Sequence, residues 1–234
     1  MTTRQDTIDA GEGKHFGAYV SLPDAPNGRA VIVVQEIFGV TPPIREVADR
    51  YARAGYLAVA PDLFWRVEPG LSLSHSKEDM ARAFEVLETF SETLAVQDLG
   101  KTIEHAKAQP GIDSVALIGM CLGGKLAYLA ASKLPVGAAI AFYGVGIEKN
   151  LADAAGIDKP LQMYFGAKDK YVSPQAREQI AEAVNGKPDV ALTVVPEADH
   201  GFYTRGDPAV IARIHAEVLA FLDKHLTSAS KSSS

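Results

Sequence analysis

Residues 114–124 read SVALIGMCLGG. The first six are a short apolar run, which predicts a buried β-strand over Ser114–Gly119. A helical pattern follows in Gly123–Lys133. Between them, Cys121 is the central residue of Gly-x-Cys-x-Gly, the spacing of a sharp strand-to-helix turn that raises a nucleophile above a sheet. Glycine suits both flanking positions because a Cβ there would collide with the neighbouring strand or helix.

The rest of the chain alternates strands with helices. The early strand His15–Ser21 is expected to pair with residues near Thr7. Further strands are predicted at Arg29–Gln35, Tyr56–Ala60, Val136–Tyr143, Pro160–Gly166 and Val190–Val195. Further helices are predicted at Pro42–Ala54 and near 76–90, 93–108, 174–185 and 207–226, with an irregular segment over 63–75. This order predicts a mostly parallel twisted sheet with helices on both faces, and the Gly-x-Cys-x-Gly turn within it predicts an α/β-hydrolase fold. One domain over 1–226 and a flexible Ser-rich tail over 227–234 are expected.

Composition and charge argue against several kinds of partner and location. The 234 residues carry a net charge of −6 without a basic cluster, so nucleic acid is a poor partner. No apolar run approaches the ~20 residues of a membrane span, and no membrane partner is expected. The N-terminus lacks the apolar stretch of a secretory signal, which favours the cytoplasm. The one cysteine excludes an intrachain disulfide.

A thiol nucleophile needs a base, since only a few per cent of a free thiol is ionised at neutral pH. His200 alone follows the last predicted strand in a short loop, at the rim where Cys121 is expected. The other histidines precede the elbow or lie in predicted helices: His15, His75, His105, His215 and His225.

The carboxylate that orients the base should end the preceding strand. The strand up to Gly166 runs directly into Asp169. Asp199 is a rival, but it adjoins His200 and would have difficulty reaching the ring, and Asp158 lies at the other end of the strand. The predicted triad is therefore Cys121, Asp169 and His200.

Two backbone N–H groups are predicted to hold the oxyanion. Leu122 begins the helix after the nucleophile, and Ile37 follows strand Arg29–Gln35, in the loop that supplies the second donor in this fold. Glu36 is unexpected beside them, because a carboxylate near a thiolate disfavours ionisation of the thiol. It either moves during catalysis, holds the thiol neutral until substrate arrives, or is a solvated rim residue.

These stretches together resemble the dienelactone hydrolase (carboxymethylenebutenolidase) family over residues of about 10–225. The matching segments are QEIFG at 35–39, APDL at 60–63, GMCLGG at 119–124, FYGVG at 142–146, Asp169, and HGF at 200–202. The resemblance implies an enzyme without cofactor or metal, typically monomeric, which opens the lactone ring of dienelactone to maleylacetate.

The resemblance also implies roles for further residues. Glu36 would hold the resting cysteine protonated and then help to activate it, and Phe38 and Tyr143 would lie beside the substrate. The family holds the substrate carboxylate with two arginines, at positions where this chain departs from the pattern. Met80 occupies the first position, with Arg82 two residues along, and Arg205 lies one residue beyond the second. We expect Arg82 and Arg205 to bind a substrate carboxylate if they reach the site.

Other functions remain open at this point. The same triad would serve a promiscuous carboxylesterase or thioesterase. A noncatalytic hydrolase-fold binding protein would not need the triad spacing. A thiol redox protein would lack a second cysteine to resolve a sulfenic acid.

Overall fold

The computed structural model describes residues 1–227. Within this range the chain divides into two compact units, one of Met1–Val115 with Thr227 and the other of Ala116–Leu226. The expected single domain over 1–226 stays a prediction. Apart from Thr227, the expected flexible tail at 227–234 lies outside the described residues.

The first unit is built on four strands in the order β1-β2-β4-β3. β1 and β2 form an antiparallel hairpin in which Thr7 pairs with Gly17, which confirms the predicted pairing. β2 pairs antiparallel with β4, and β4 pairs parallel with β3. The elements are β1 (Thr2–Gly11), β2 (Lys14–Leu22), β3 (Arg29–Val34), β4 (Leu57–Pro61), α1 (Pro42–Arg53), α2 (Lys77–Thr89) and α3 (Glu92–Lys107).

The sequence explains the inner elements of this unit. All six residues of β3 are buried, as a continuous β-branched run predicts for a strand covered on both faces. α1 begins with two prolines and ends before Gly55, whose φ is 95°. Helix and strand boundaries agree with the predicted ones to within one or two residues.

The irregular segment between β4 and α2 is tied to α3 by one buried carboxylate. Asp98 is 1% exposed and accepts hydrogen bonds from the indole Nε1 of Trp65, at 2.9 Å, and from both terminal nitrogens of Arg66. The Arg66 guanidinium also lies over the Trp65 ring, 4.2 Å from its centroid. This ion pair fixes the position of the segment, which has no regular secondary structure.

The second unit contains a run of parallel strands in the order β5-β6-β7-β8. Its elements are β5 (Ser114–Met120), β6 (Ala138–Phe142), β7 (Leu161–Gly166), β8 (Val190–Val195), α4 (Leu122–Lys133), α5 (Pro174–Ala183), α6 (Phe202–Arg205) and α7 (Pro208–His225). Two 3₁₀ segments, Ile147–Lys149 and Leu151–Gly156, and the short helix α6 were not predicted from the sequence. β6 ends one residue before its predicted end because Tyr143 leaves the strand with a φ of 38°.

Candidate active site

The elbow around Cys121 has the strained geometry that its glycines predict. Cys121 lies between β5 and α4 with φ 55° and ψ −112°, a conformation that residues other than glycine rarely adopt. A Cβ at Gly119 would lie 1.8 Å from the carbonyl oxygen of Gly123. A Cβ at Gly124 would lie 2.5 Å from the carbonyl oxygen of Phe142. Close backbone contacts therefore require glycine at both positions.

The start of α4 provides free donors next to the thiol. The Cys121 N–H donates to the Phe142 carbonyl at 3.0 Å, which fixes the turn against β6. The first bond within the helix runs from Lys125 N–H to the Cys121 carbonyl at 3.2 Å. Leu122 precedes that bond, so its N–H has no partner carbonyl earlier in the helix. The oxyanion role of the Leu122 N–H stays a prediction.

His200 and Asp169 are brought together as predicted. The ring Nδ1 of His200 lies 2.8 Å from Asp169 Oδ2, and the Asp169 side chain is fully buried. The other carboxylate oxygen, Oδ1, accepts the N–H groups of Tyr171 at 2.8 Å and Val172 at 3.3 Å. Three donors therefore hold the carboxylate, and only one of them is the imidazole.

A buried arginine holds the loop that carries Asp169. The Nη1 of Arg177 donates to the carbonyl of Gly166 at 2.6 Å and to that of Val172 at 3.4 Å. These two carbonyls flank Asp169 in the chain. The Arg177 contacts therefore limit movement of the carboxylate relative to the end of β7.

The rival carboxylates have other partners. Asp199 Oδ1 accepts the backbone N–H of His200 at 2.7 Å, and the Asp199 residue is exposed. Asp158 pairs with the adjacent Lys159 at 3.1 Å. Among the three candidates, Asp169 is thus the one whose carboxylate meets the His200 ring.

Two tyrosine rings contact the His200 imidazole. The centroid of the buried Tyr143 ring lies 4.8 Å from that of His200, at 62°, and its hydroxyl lies 3.4 Å from Thr204 Oγ1. The Tyr171 ring lies at the same distance, at 64°, and this residue is 63% exposed. Sequence reasoning identified Tyr143 but missed Tyr171. The available signal was its position two residues after Asp169, on the same loop.

Arg205 extends back over the residue that follows the histidine. A Cβ at Gly201 would lie 2.2 Å from Arg205 Nη2, so the guanidinium packs against the bare Gly201 backbone. Arg205 Nη1 also donates to Thr204 Oγ1 at 3.0 Å. Gly201 itself has φ 80°. The cation therefore lies against Gly201, the residue that follows His200 in the chain, although Arg205 is one residue beyond the position expected from the resemblance.

Arg82 has different surroundings. It lies on the exposed side of α2, where Nη2 donates to Glu68 at 2.6 Å and Nη1 donates to Glu85 at 2.9 Å. Both terminal nitrogens are thus engaged by carboxylates of the protein. Binding of a substrate carboxylate by Arg82 stays a prediction, and it would require at least one of these ion pairs to break.

The turn after β3 is tightly packed in the first unit. Glu36 is 2% exposed, Ile37 is half-buried, and the ring of Phe38 lies 4.2 Å from that of His75. The Leu73 N–H donates to the Phe38 carbonyl at 2.9 Å. A buried glutamate on a turn is unusual, because the charge loses its hydration. The predicted position of Glu36 and Ile37 beside the thiol stays a prediction.

Residues 1–227 contain neither a cluster of metal-ligating side chains nor a membrane-spanning helix. No group of three or more His, Cys, Asp or Glu side chains in this range is placed to hold a metal ion. No helix in the same range combines the length and the hydropathy needed to cross a bilayer.

Known proteins resemble this chain over most of its length. The sequence profile of the Dienelactone hydrolase family matches residues 16–226. A carboxymethylenebutenolidase of Pseudomonas sp. (strain P51) is 38% identical over 210 residues, which cover 89% of this chain and 88% of that protein. Carboxymethylenebutenolidase 1 of Cupriavidus pinatubonensis is 34% identical over 203 residues, or 86% of each chain. A structure from Klebsiella pneumoniae, solved as a candidate dienelactone hydrolase, has a TM-score of 0.80 and 27% identity over 96% of this chain and 100% of that one. These matches confirm the predicted α/β-hydrolase fold.

Proposed function

We propose that this chain, which belongs to the dienelactone hydrolase family and is accordingly an ester or lactone hydrolase, acts through the triad Cys121, His200 and Asp169. The observation that carries the proposal is the 2.8 Å contact between His200 Nδ1 and the buried Asp169 carboxylate. This contact leaves the other ring nitrogen, Nε2, as the proton acceptor. The positive φ of Cys121 supports its role as nucleophile.

The proposed acylation step begins at the sulfur. The Cys121 proton passes to His200 Nε2, directly or through Glu36, and the thiolate attacks the substrate carbonyl carbon. The carbonyl π electrons move to oxygen, and the N–H groups of Leu122 and Ile37 stabilise the resulting oxyanion. The intermediate collapses with cleavage of the carbon–oxygen bond, which leaves an acyl thioester and an alkoxide or enolate that takes the proton from His200.

The proposed deacylation step uses the same base. His200 accepts a proton from water while the hydroxide adds to the thioester carbonyl. Collapse of this second intermediate releases the carboxylic acid and returns the proton to sulfur. A thiolate leaves an intermediate more readily than an alkoxide does. Cysteine therefore favours substrates with a stabilised leaving group, such as the enolate of an enol lactone.

The most specific substrate we propose is dienelactone, opened to maleylacetate. Two relatives that match most of the chain are named carboxymethylenebutenolidases. Arg205 is the cation we propose for the substrate carboxylate, since its guanidinium packs against Gly201 beside the catalytic histidine. Phe38 and Tyr143 are proposed to contact the lactone ring.

Replacement of the nucleophile tests the reaction. Cys121→Ala should lower kcat/KM on cis-dienelactone and on phenyl acetate by at least roughly 10³-fold, because thioester formation is lost. Mass spectrometry of the wild-type protein quenched during turnover of phenyl acetate should show an acetyl group on Cys121. Undiminished turnover by Cys121→Ala would end the proposal.

A second function, hydrolysis of carboxylic esters or thioesters without a substrate carboxylate, is favoured by one observation. Arg82 is held by Glu68 and Glu85, and Met80 occupies the family's position on the same helix. One of the two arginines expected to bind a carboxylate is thus otherwise engaged. The ratio of kcat/KM on cis-dienelactone to kcat/KM on phenyl acetate separates the two functions. A dienelactone hydrolase should give a high ratio, and a general esterase a low one.

A matched pair of arginine variants separates them further. If the substrate carries a carboxylate, Arg205→Gln should lower kcat/KM only for the lactone that has one, by roughly tenfold or more for a lost charge-assisted contact. Arg213→Gln removes an exposed arginine from α7 and serves as the control. Equal kcat/KM for lactones with and without a carboxylate, in wild type and Arg205→Gln alike, would favour the esterase.

A further inference from the structure

Tyr171 has an unusual combination of exposure and fixed position. It is 63% exposed, yet its ring centroid lies 4.8 Å from that of the His200 imidazole. Within residues 1–227 its hydroxyl makes no hydrogen bond. A single exposed aromatic side chain needs no functional explanation by itself. Tyr171, however, packs on the proposed catalytic base, and it therefore occupies space that the substrate must approach.

The backbone beneath this ring is firmly held. The Tyr171 N–H donates to Asp169 Oδ1 at 2.8 Å, and the next residue, Val172, is 1% exposed. The Val172 carbonyl accepts from the buried Arg177, and Ser173 Oγ accepts the Ala176 N–H at 3.1 Å to cap α5. The position of the ring is therefore set by the loop that holds the triad acid. Movement of the ring is confined mainly to its side-chain torsions.

The proposed chemistry places the leaving group near this ring. His200 must deliver its proton to the leaving-group oxygen, so that oxygen comes within about 3 Å of Nε2. A ring in contact with the same imidazole can then contact the atoms attached to that oxygen. Offset or edge contacts between aromatic rings form at centroid distances of about 4.5–7 Å. Of the two tyrosine rings that contact this imidazole, Tyr171 is the exposed one and Tyr143 is buried.

We infer that Tyr171 is a specificity-determining residue that contacts the leaving group and favours flat, unsaturated ones, such as phenolates and enolates, over saturated alkoxides. The inference rests on the proposed function of the triad. It adds a preference on the leaving-group side of the scissile bond, and it does not involve the acyl side. The exposed face of Tyr171 is the surface on which such a group would stack.

A series of acetate esters isolates this preference, because all of them give the same acetyl-enzyme. Phenyl acetate and 2,2,2-trifluoroethyl acetate differ only in the leaving group. kcat/KM reports acylation, in which the leaving group is present, whereas hydrolysis of the acetyl-enzyme is common to both esters. Comparing each variant with wild type on the same ester cancels the intrinsic reactivity of that ester.

We expect Tyr171→Ala to lower kcat/KM for phenyl acetate by roughly two- to tenfold, the range of one aromatic contact. The value for trifluoroethyl acetate should change by less than twofold, and the rate of acetyl-enzyme hydrolysis should be unchanged. Tyr171→Phe keeps the ring and should restore the wild-type ratio of the two esters. Tyr171→Leu, which keeps apolar bulk without a π face, should give an intermediate ratio. Thermal denaturation should show the same midpoint for all variants, since the side chain is exposed.

Several results would overturn the inference. Equal losses on both esters, or slower hydrolysis of the acetyl-enzyme, would mean that Tyr171 merely supports His200, which acts in both steps. An unchanged ratio of the two esters in Tyr171→Ala would remove the proposed contact. If wild type hydrolyses both esters but Cys121→Ala does so equally well, the failure lies in the proposed triad, and the inference falls with it.

Discussion

Replacing Asp169 by asparagine changes one atom of a buried group whose three donors are all known. Oδ1 accepts the N–H groups of Tyr171 and Val172, and Oδ2 accepts from His200 Nδ1. The two backbone donors require an oxygen where Oδ1 lies. The asparagine NH₂ group must then take the place of Oδ2 and donate to His200 Nδ1, which becomes an acceptor. The imidazole proton moves to Nε2, and the ring can no longer accept the proton of Cys121.

The cost of the alternative arrangement gives the magnitude. Flipping the amide restores an acceptor to His200 but leaves the two backbone N–H groups facing a donor. Each unsatisfied buried donor costs about 1–3 kcal/mol, or about 2–6 kcal/mol for the pair. At about 1.4 kcal/mol per factor of ten, the active arrangement is disfavoured by roughly 30- to 10⁴-fold. We expect kcat/KM of Asp169→Asn on phenyl acetate to fall within this range.

Asp169→Ala provides the comparison for stability. It removes the acceptor of one buried and one part-buried backbone N–H group, so urea denaturation should show a free energy of unfolding lower by about 2–4 kcal/mol. Asp169→Asn keeps an acceptor for both groups and should lose less than about 1.5 kcal/mol. An asparagine variant with activity within threefold of wild type would refute the assignment of Asp169. If the alanine variant were as stable as the asparagine variant, the two backbone N–H groups could not contribute the stability assigned to them.

Other parts of the chain give further predictions. Gly124→Ala places a Cβ 2.5 Å from the Phe142 carbonyl oxygen, so denaturant unfolding should show a loss of at least about 1–3 kcal/mol. Asp98→Ala removes a buried carboxylate that accepts from Trp65 and Arg66, and should lower the free energy of unfolding by about 1.5–3 kcal/mol, with a red shift in the emission of Trp65, the single tryptophan. Burial raises the pKa of Tyr128 to about 12. Because an unfolded tyrosine ionises near pH ~10, the stability from Tyr128 should be complete below that pH and be lost as the pH rises toward 12; Tyr128→Phe should flatten this loss in urea titrations at alkaline pH.

Most of the secondary structure and the strained turn at Cys121 were predictable from local patterns. Signals that act on residues a few positions away can be recognised in the sequence alone. Examples are the apolar run of β5, the glycines around Cys121 and the prolines of α1. The short helix α6 was missed because four residues carry too little periodicity to be distinguished from a loop. The final strand and His200 followed from the alternation of elements alone.

The choice of contacts at the rim depended on the tertiary structure. Asp199 is adjacent to His200 and binds its backbone N–H, whereas Asp169, 31 residues earlier, meets its ring. Arg82 was a candidate ligand for a substrate carboxylate, but Glu68, 14 residues away, occupies one of its nitrogens. Sequence spacing does not reveal such partners, because they meet only after distant loops have folded.

Local patterns in the sequence were thus enough to predict the alternating architecture and the strained elbow, and to nominate the residues of the proposed triad. Each of these follows from periodicity, from glycine placement or from the order of residues along the chain. Two contacts could be seen only in the folded chain: the Tyr171 ring packs on the His200 ring, and the Arg205 guanidinium packs on Gly201. The physical reason is that side-chain contacts at the ends of strands depend on loop conformation, which short-range patterns do not specify.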